Sequence, residues 1–74
     1  MAEFTYKIEE NIGTLSVKGG WALELNKVSW NKRPASYDLR KWADTYDKMG
    51  KGVSMNEQEL LALRDILNEY FGEE

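Results

Sequence analysis

The chain contains neither cysteine nor histidine, and a single proline, Pro34. Without cysteine there is no disulfide framework, and without either residue the usual zinc ligands are missing. The same absences remove Cys and His nucleophiles and the commonest general base. No apolar run approaches the roughly 18 residues that read as a membrane span. The opening Met1-Ala2-Glu3-Phe4 lacks the charged and apolar regions of a signal peptide. A soluble, cytoplasmic protein without membrane partners is the expectation. Seventy-four residues make one domain at most, over 1–74, and so short a chain buries a modest core. With disulfides and the usual metal ligands gone, self-association is the remaining supplement.

Acidic residues exceed basic ones, for a formal net charge of −3. The sum speaks against a nucleic-acid partner, but the distribution matters more. Residues 1–17 carry −2, residues 18–51 carry +4 and residues 52–74 carry −5. The basic middle also holds all three tryptophans, Trp21, Trp30 and Trp42.

Phe4, Tyr6 and Ile8 alternate with polar residues, which predicts a strand over about 3–9. Glu10-Asn11 reads as a turn, and Leu15 and Val17 mark a second strand over 14–18. Gly19-Gly20 is a hairpin signal, because glycine reaches positive φ without steric cost. A third strand follows over 21–32. Leu23 and Leu25 share one face and Val28 and Trp30 the other, which predicts either a bulge near Asn26 or a strand covered on both faces. Pro34 sets a loop, and 36–42 reads as the fourth strand, with Asp38, Arg40 and Trp42 opposite Tyr37, Leu39 and Lys41. Residues 43–52 read as a polar loop. Asn56 with Glu59 forms a capping box for a helix over 57–71, which Gly72 ends. Its apolar stripe is Leu60, Leu63, Ile66, Leu67, Tyr70 and Phe71, with Leu61 outside it. The expected fold is α+β: a four-stranded antiparallel curved sheet followed by one C-terminal helix. One helix covers one sheet face, leaving the face with lysine, arginine, tryptophan and serine open.

A protein that holds a single strand without reading its sequence needs aromatic platforms and positive charge along a groove. Trp21, Trp30, Tyr37 and Trp42 interleave with Lys18, Lys27, Lys32, Arg33, Arg40 and Lys41 in that way. Taken singly, a strand aromatic is more often core, and a strand lysine more often a solvated face. Enzyme readings find less. Gly50-Lys51-Gly52 lacks P-loop spacing, no nucleophile–base pair is visible, and Asp44, Asp47 and Glu57 make at best a weak cation set. No catalytic activity, cofactor or metal is expected.

Tyr37-Asp38-Leu39-Arg40-Lys41-Trp42, followed by Asp47-Lys48-Met49-Gly50-Lys51-Gly52-Val53-Ser54-Met55, resembles the signature of the positive-cofactor-four transcriptional coactivators. Upstream, Val28-Ser29-Trp30-Asn31 is similar to their bacterial YdbC-like branch. The resemblance spans roughly Trp21 to Phe71. It implies a two-fold homodimer whose curved strands take single-stranded DNA by stacking and phosphate contacts. Residue by residue it implicates Trp42, Arg40, Lys48 and Lys51, then Trp30 and Lys27. Lys18, Trp21, Lys32 and Arg33 join them by position. In a bacterium such a protein would be nucleoid-associated, in transcription regulation or DNA maintenance. The serine- and lysine-rich N-terminal region of the eukaryotic members is missing, so their regulation by phosphorylation does not carry over. Two alternatives stand beside this reading: a protein-interaction module of the transcription machinery, and a single-stranded RNA binder.

Overall fold

A computed structural model describes residues 5–72. Four strands, β1 (Tyr6–Lys18), β2 (Trp21–Trp30), β3 (Ser36–Ala43) and β4 (Met49–Met55), precede one helix, α1 (Glu57–Phe71). The strands form one antiparallel sheet in the order β1-β2-β3-β4. The ββββα architecture is as expected, but the strands are cut differently.

The separate strands expected at 3–9 and 14–18 are one strand; Phe4 and its predecessors lie outside the described residues. β1 runs straight through the expected Glu10-Asn11 turn and pairs with β2 from Tyr6↔Trp30 to Lys18↔Trp21. Three register shifts, between Ile8 and Glu10, Asn11 and Gly13, and Thr14 and Ser16, absorb the residues that look like a turn. Such bulges bend a strand and raise its twist. Gly19 and Gly20, at φ 59° and 81°, close the β1–β2 hairpin. β2 ends at Trp30 rather than 32. Asn31 and Lys32 take left-handed φ values of 51° and 64°, and the Arg33 N–H donates to the Trp30 carbonyl at 2.9 Å, forming a tight turn. β2 pairs with β3 without a register shift from Trp21↔Ala43 to Val28↔Ser36. No bulge is needed at Asn26, because β2 is covered on both faces.

β4 is the strand that the loop reading of 43–52 misses. Two glycines argue against a strand there, yet one of them is what lets the strand approach. A Cβ on Gly52 would stand 2.6 Å from the Leu39 carbonyl oxygen and collide with the Arg40 Cβ.

Cross-strand partners fix the two faces. Glu24, Asn26 and Val28 lie beside Arg40, Asp38 and Ser36 on one face; Leu23, Leu25 and Lys27 lie beside Lys41, Leu39 and Tyr37 on the other. α1 lies on the second face against β3 and β4, and Leu25 lines an apolar cavity with Leu60, Leu61, Leu63 and Leu67. Its start is the expected one: Asn56 Oδ1 accepts the Glu59 N–H at 2.8 Å, and Glu59 Oε1 accepts the Asn56 N–H at 2.9 Å. Gly72 ends it in the left-handed conformation. None of its residues is fully buried within the protomer, and Ile66, Leu67, Tyr70 and Phe71 are exposed. The radius of gyration is 13.8 Å, against about 11 Å for a compact chain of this length.

The face expected to stay open is the closed one. Val28, Trp42, Asn26 and Asp38 have no exposed surface, and Glu24 is also buried. This corrects the expectation that the polar, tryptophan-bearing face is solvated: the core of the protomer lies there, under the bulged β1 and the β3–β4 connection.

Candidate nucleic-acid interface

The closed face carries a layer of four aromatic rings. The Trp42 ring centroid lies 5.3 Å from that of Tyr6 and 5.7 Å from that of Tyr46, and Tyr6 lies 5.8 Å from Trp30. Tilted rings at these separations attract through their quadrupoles as well as by area. The Arg40 guanidinium carbon sits 4.6 Å from the Trp30 ring centroid, within cation–π reach.

Arg40 is held rather than free. Its Nε donates to Asp38 Oδ2 at 2.7 Å, and its Nη1 approaches the Met49 sulfur at 3.2 Å and the Gly50 carbonyl at 3.4 Å. Asp38, wholly buried, also accepts the Ser54 hydroxyl at 3.3 Å. Such a pair is costly to break from one side, because a buried charge is left behind. A second network ties β1, β2 and the β3–β4 connection together. Glu24 Oε1 accepts from Asn26 Nδ2 at 3.0 Å and Asn11 Nδ2 at 3.4 Å, while Asn11 Nδ2 also donates to Asn26 Oδ1 at 2.6 Å. The Tyr46 hydroxyl donates to Glu24 Oε2 at 2.6 Å. That bond, then burial and the Glu24 charge, holds the Tyr46 phenol above its ordinary pKa of 10.

The expected contact residues fall into separate groups. Trp30, Arg40 and Trp42 come together on the closed face. Trp42, expected as a stacking platform, has no exposed surface in this conformation, so its ring face would reach a base only if the tyrosines over it moved. Its Nε1 is buried with no acceptor among the described residues. Lys18 and Trp21 meet at the hairpin end of the helix-bearing face, in a shallow concavity completed by Lys41 and Gly50. Trp21 is the exposed tryptophan there. Lys32 lines a second concavity with Thr5, Tyr6, Lys7 and Ser29. Arg33 is exposed beside it, its carbonyl accepting the Ser29 hydroxyl at 2.6 Å. Lys48 and Lys51 are exposed on either side of Gly50. Lys27 is half-buried on the helix-bearing face, opposite Tyr37 and away from Trp30 and Arg40.

Tyr46, Glu24 and Asn11 belong to this region and escape a reading by strand pattern; Tyr6, which the pattern places on a strand, joins them here. Tyr46 sits in the connection after β3 with no periodicity to mark it. Among the described residues no group of three or more acidic side chains gathers as a metal site, and no helix is long and apolar enough to cross a membrane.

No family model matches the chain. An uncharacterized protein of Treponema pallidum (strain Nichols) is 52% identical over 67 residues, which cover 89% of this chain and 79% of that protein. The chain belongs to the same family as that protein.

Proposed function

We propose that the chain binds single-stranded DNA with little sequence preference, without catalysis, as a homodimer of the positive-cofactor-four, YdbC-like type. The observation that carries the reading is the joining of aromatic rings and cations on one sheet. Arg40 lies over Trp30 and Lys32 beside Tyr6 toward the closed face, and Lys18 and Lys41 lie around Trp21 on the helix-bearing face. Base stacking on such rings contributes roughly 1–3 kcal/mol per base, and lysines on phosphates add a salt-dependent term.

The dimer is supported by surface. A chain of 8.6 kDa ordinarily exposes about 4,700 Å² when folded. This protomer exposes 5970 Å². The excess is about 1,300 Å², more than the ~800 Å² each partner buries in a standard interface. The exposed apolar residues Val53, Leu61, Ile66, Leu67, Tyr70 and Phe71 lie on β4 and the helix, where a two-fold partner would cover them.

Fluorescence anisotropy of a labelled dT strand of about 20 nucleotides, against a duplex of equal length at two salt concentrations, tests the reading. Tight, salt-sensitive binding of the strand over the duplex is the expected result. No binding of either would leave the protein-interaction module as the better account.

A further inference from the structure

The cover over Trp42 is thin. On one side lies Tyr6; on the other lies Tyr46, from the short connection between β3 and β4. The ends of that connection are anchored, by the Ala43 N–H to the Lys48 carbonyl and the Asp44 N–H to the Gly20 carbonyl, each at 3.0 Å. Residues 45–47 lie between these two anchors. Tyr46 itself is strained, at φ 60°, where a bulky side chain is out of place. Its hydroxyl bond to Glu24, its carbonyl accepting the Tyr6 hydroxyl at 2.9 Å and its N–H donating to the Ala43 carbonyl at 2.9 Å hold it there. The residue is still 41% exposed. A planar six-membered ring, packed at a 42° tilt against a tryptophan and donating one hydrogen bond to a buried carboxylate, occupies the space and makes the polar contact that a pyrimidine base could take over.

We propose that Tyr46 occupies a nucleobase pocket, with Trp42 as its floor and Glu24 as its acceptor, and that a base bearing an exocyclic amino group displaces it when a single strand binds. The proposal rests on the single-strand reading and deepens it by naming one base position and its chemistry. The Glu24 carboxylate accepts hydrogen bonds and cannot donate one. Cytosine brings an N4 amino group to Oε2 in place of the phenol. Thymine and uracil bring a carbonyl oxygen there, and the like partial charges repel. The pocket therefore favours cytosine over thymine within an otherwise tolerant groove. The displaced Tyr46 leaves its left-handed conformation, so strain released from the strap offsets part of the bonds it gives up.

The test compares labelled dC and dT strands of about 20 nucleotides by anisotropy, with the parent, Tyr46→Gly and Glu24→Gln proteins. The parent is expected to hold dC more tightly, by about threefold or more. Tyr46→Gly removes the competing ring and suits a positive φ. It is expected to bind dC several-fold tighter and to open Trp42 to acrylamide quenching in the free protein. Glu24→Gln is expected to lose the dC preference. Equal affinity of the parent for dC and dT overturns the pocket. So does a folded Tyr46→Gly whose dC affinity is unchanged or weaker. If Tyr46→Gly does not fold, Tyr46→Phe, which keeps the ring and loses only the hydroxyl tether, decides: tighter dC binding supports the pocket and no change overturns it. Failure of every protein to bind either strand overturns both the pocket and the single-strand reading, whereas binding without these differences overturns the pocket alone.

Discussion

Gly52→Ala isolates the closest approach in the sheet. The added Cβ would stand 2.6 Å from the Leu39 carbonyl oxygen and 2.7 Å from Arg40 Nε, and nearer still to the Arg40 Cβ. Carbon contacts are comfortable at about 3.5–4.0 Å. Two of the three obstacles are backbone or Cβ atoms, so no flexible side-chain end can swing away. Either β4 moves off β3 or Arg40 turns out of its place. Overpacking of this kind costs about 1–3 kcal/mol. If Arg40 also leaves Asp38, the loss rises toward the ~3–5 kcal/mol of a buried pair broken on one side. We expect a destabilisation of about 2–4 kcal/mol. A domain of this size holds about 4–11 kcal/mol in total. With a urea slope near 1 kcal/mol/M the midpoint falls by about 2–4 M. The assay is urea unfolding followed by tryptophan fluorescence, at fixed protomer concentration because association adds to apparent stability. Gly50→Ala is the control: its Cβ meets Lys41 at an ordinary 3.8 Å, and its effect should stay within about 0.5 kcal/mol. A Gly52→Ala midpoint equal to the parent's, or a Gly50→Ala loss as large, would refute the packing argument.

Tyr46 should ionise above the ordinary phenol value in an absorbance titration at alkaline pH, and Tyr46→Phe should abolish that step. Because its folded pKa is raised, the stability it contributes is complete below the unfolded value of about 10 and is lost as pH rises through the folded value; a step lost in Tyr46→Phe that lies at or below about 10 contradicts the Glu24 bond. Ile66→Ser with Tyr70→Ser, on the exposed helix face, should give a folded protomer mass in sedimentation where the parent gives twice that mass. Lys48→Ala with Lys51→Ala should flatten the log–log salt dependence of dT binding by about 1.4 per protomer; an unchanged slope would mean that neither lysine meets phosphate.

Local rules made some of the fold legible. The helix is bounded by Asn56, Glu59 and Gly72 through hydrogen bonds that span three or four residues, and these are written in the sequence. The Gly19-Gly20 hairpin is legible for the same reason. What escaped depends on contacts between distant segments. β1 reads as two strands because Asn11 looks like a turn residue, until its amide is seen donating to Asn26 across the sheet. β4 reads as a loop because Gly50 and Gly52 are poor strand formers, until Arg40 is seen to leave no room for a side chain at 52. At the candidate site, alternation placed Asp38, Arg40 and Trp42 on one face correctly. The error was to equate a polar face with a wet one. Asp38 pairs with Arg40, and Glu24 with Asn26 and Tyr46, so this face satisfies its own polar groups and closes.

That inversion bears on how a strand would be held. The protomer hides a polar, aromatic face and displays an apolar helix face, the reverse of what a solitary soluble domain does. Its charges are divided along the same lines. α1 carries Glu57, Glu59, Asp65 and Glu69 against Arg64, whereas Lys18, Lys32, Arg33, Lys41, Lys48 and Lys51 lie on the strands and their connections with Glu9, Glu10, Asp44 and Asp47 among them. If the proposed function holds, an approaching polyanion would be repelled by the helix and drawn to the sheet, and the acidic segment would orient the encounter even though it subtracts from the net attraction. Near 0.1 M salt the screening length is about 10 Å. Added salt therefore weakens repulsion from the helix along with distant attraction, while lysines in contact with phosphate keep their counterion-release term. A salt slope set by the contacting lysines alone, despite a net charge of −3, is the behaviour this separation of charge predicts. A slope reversed in sign at low salt would mean that the acidic helix and the bound strand share one surface.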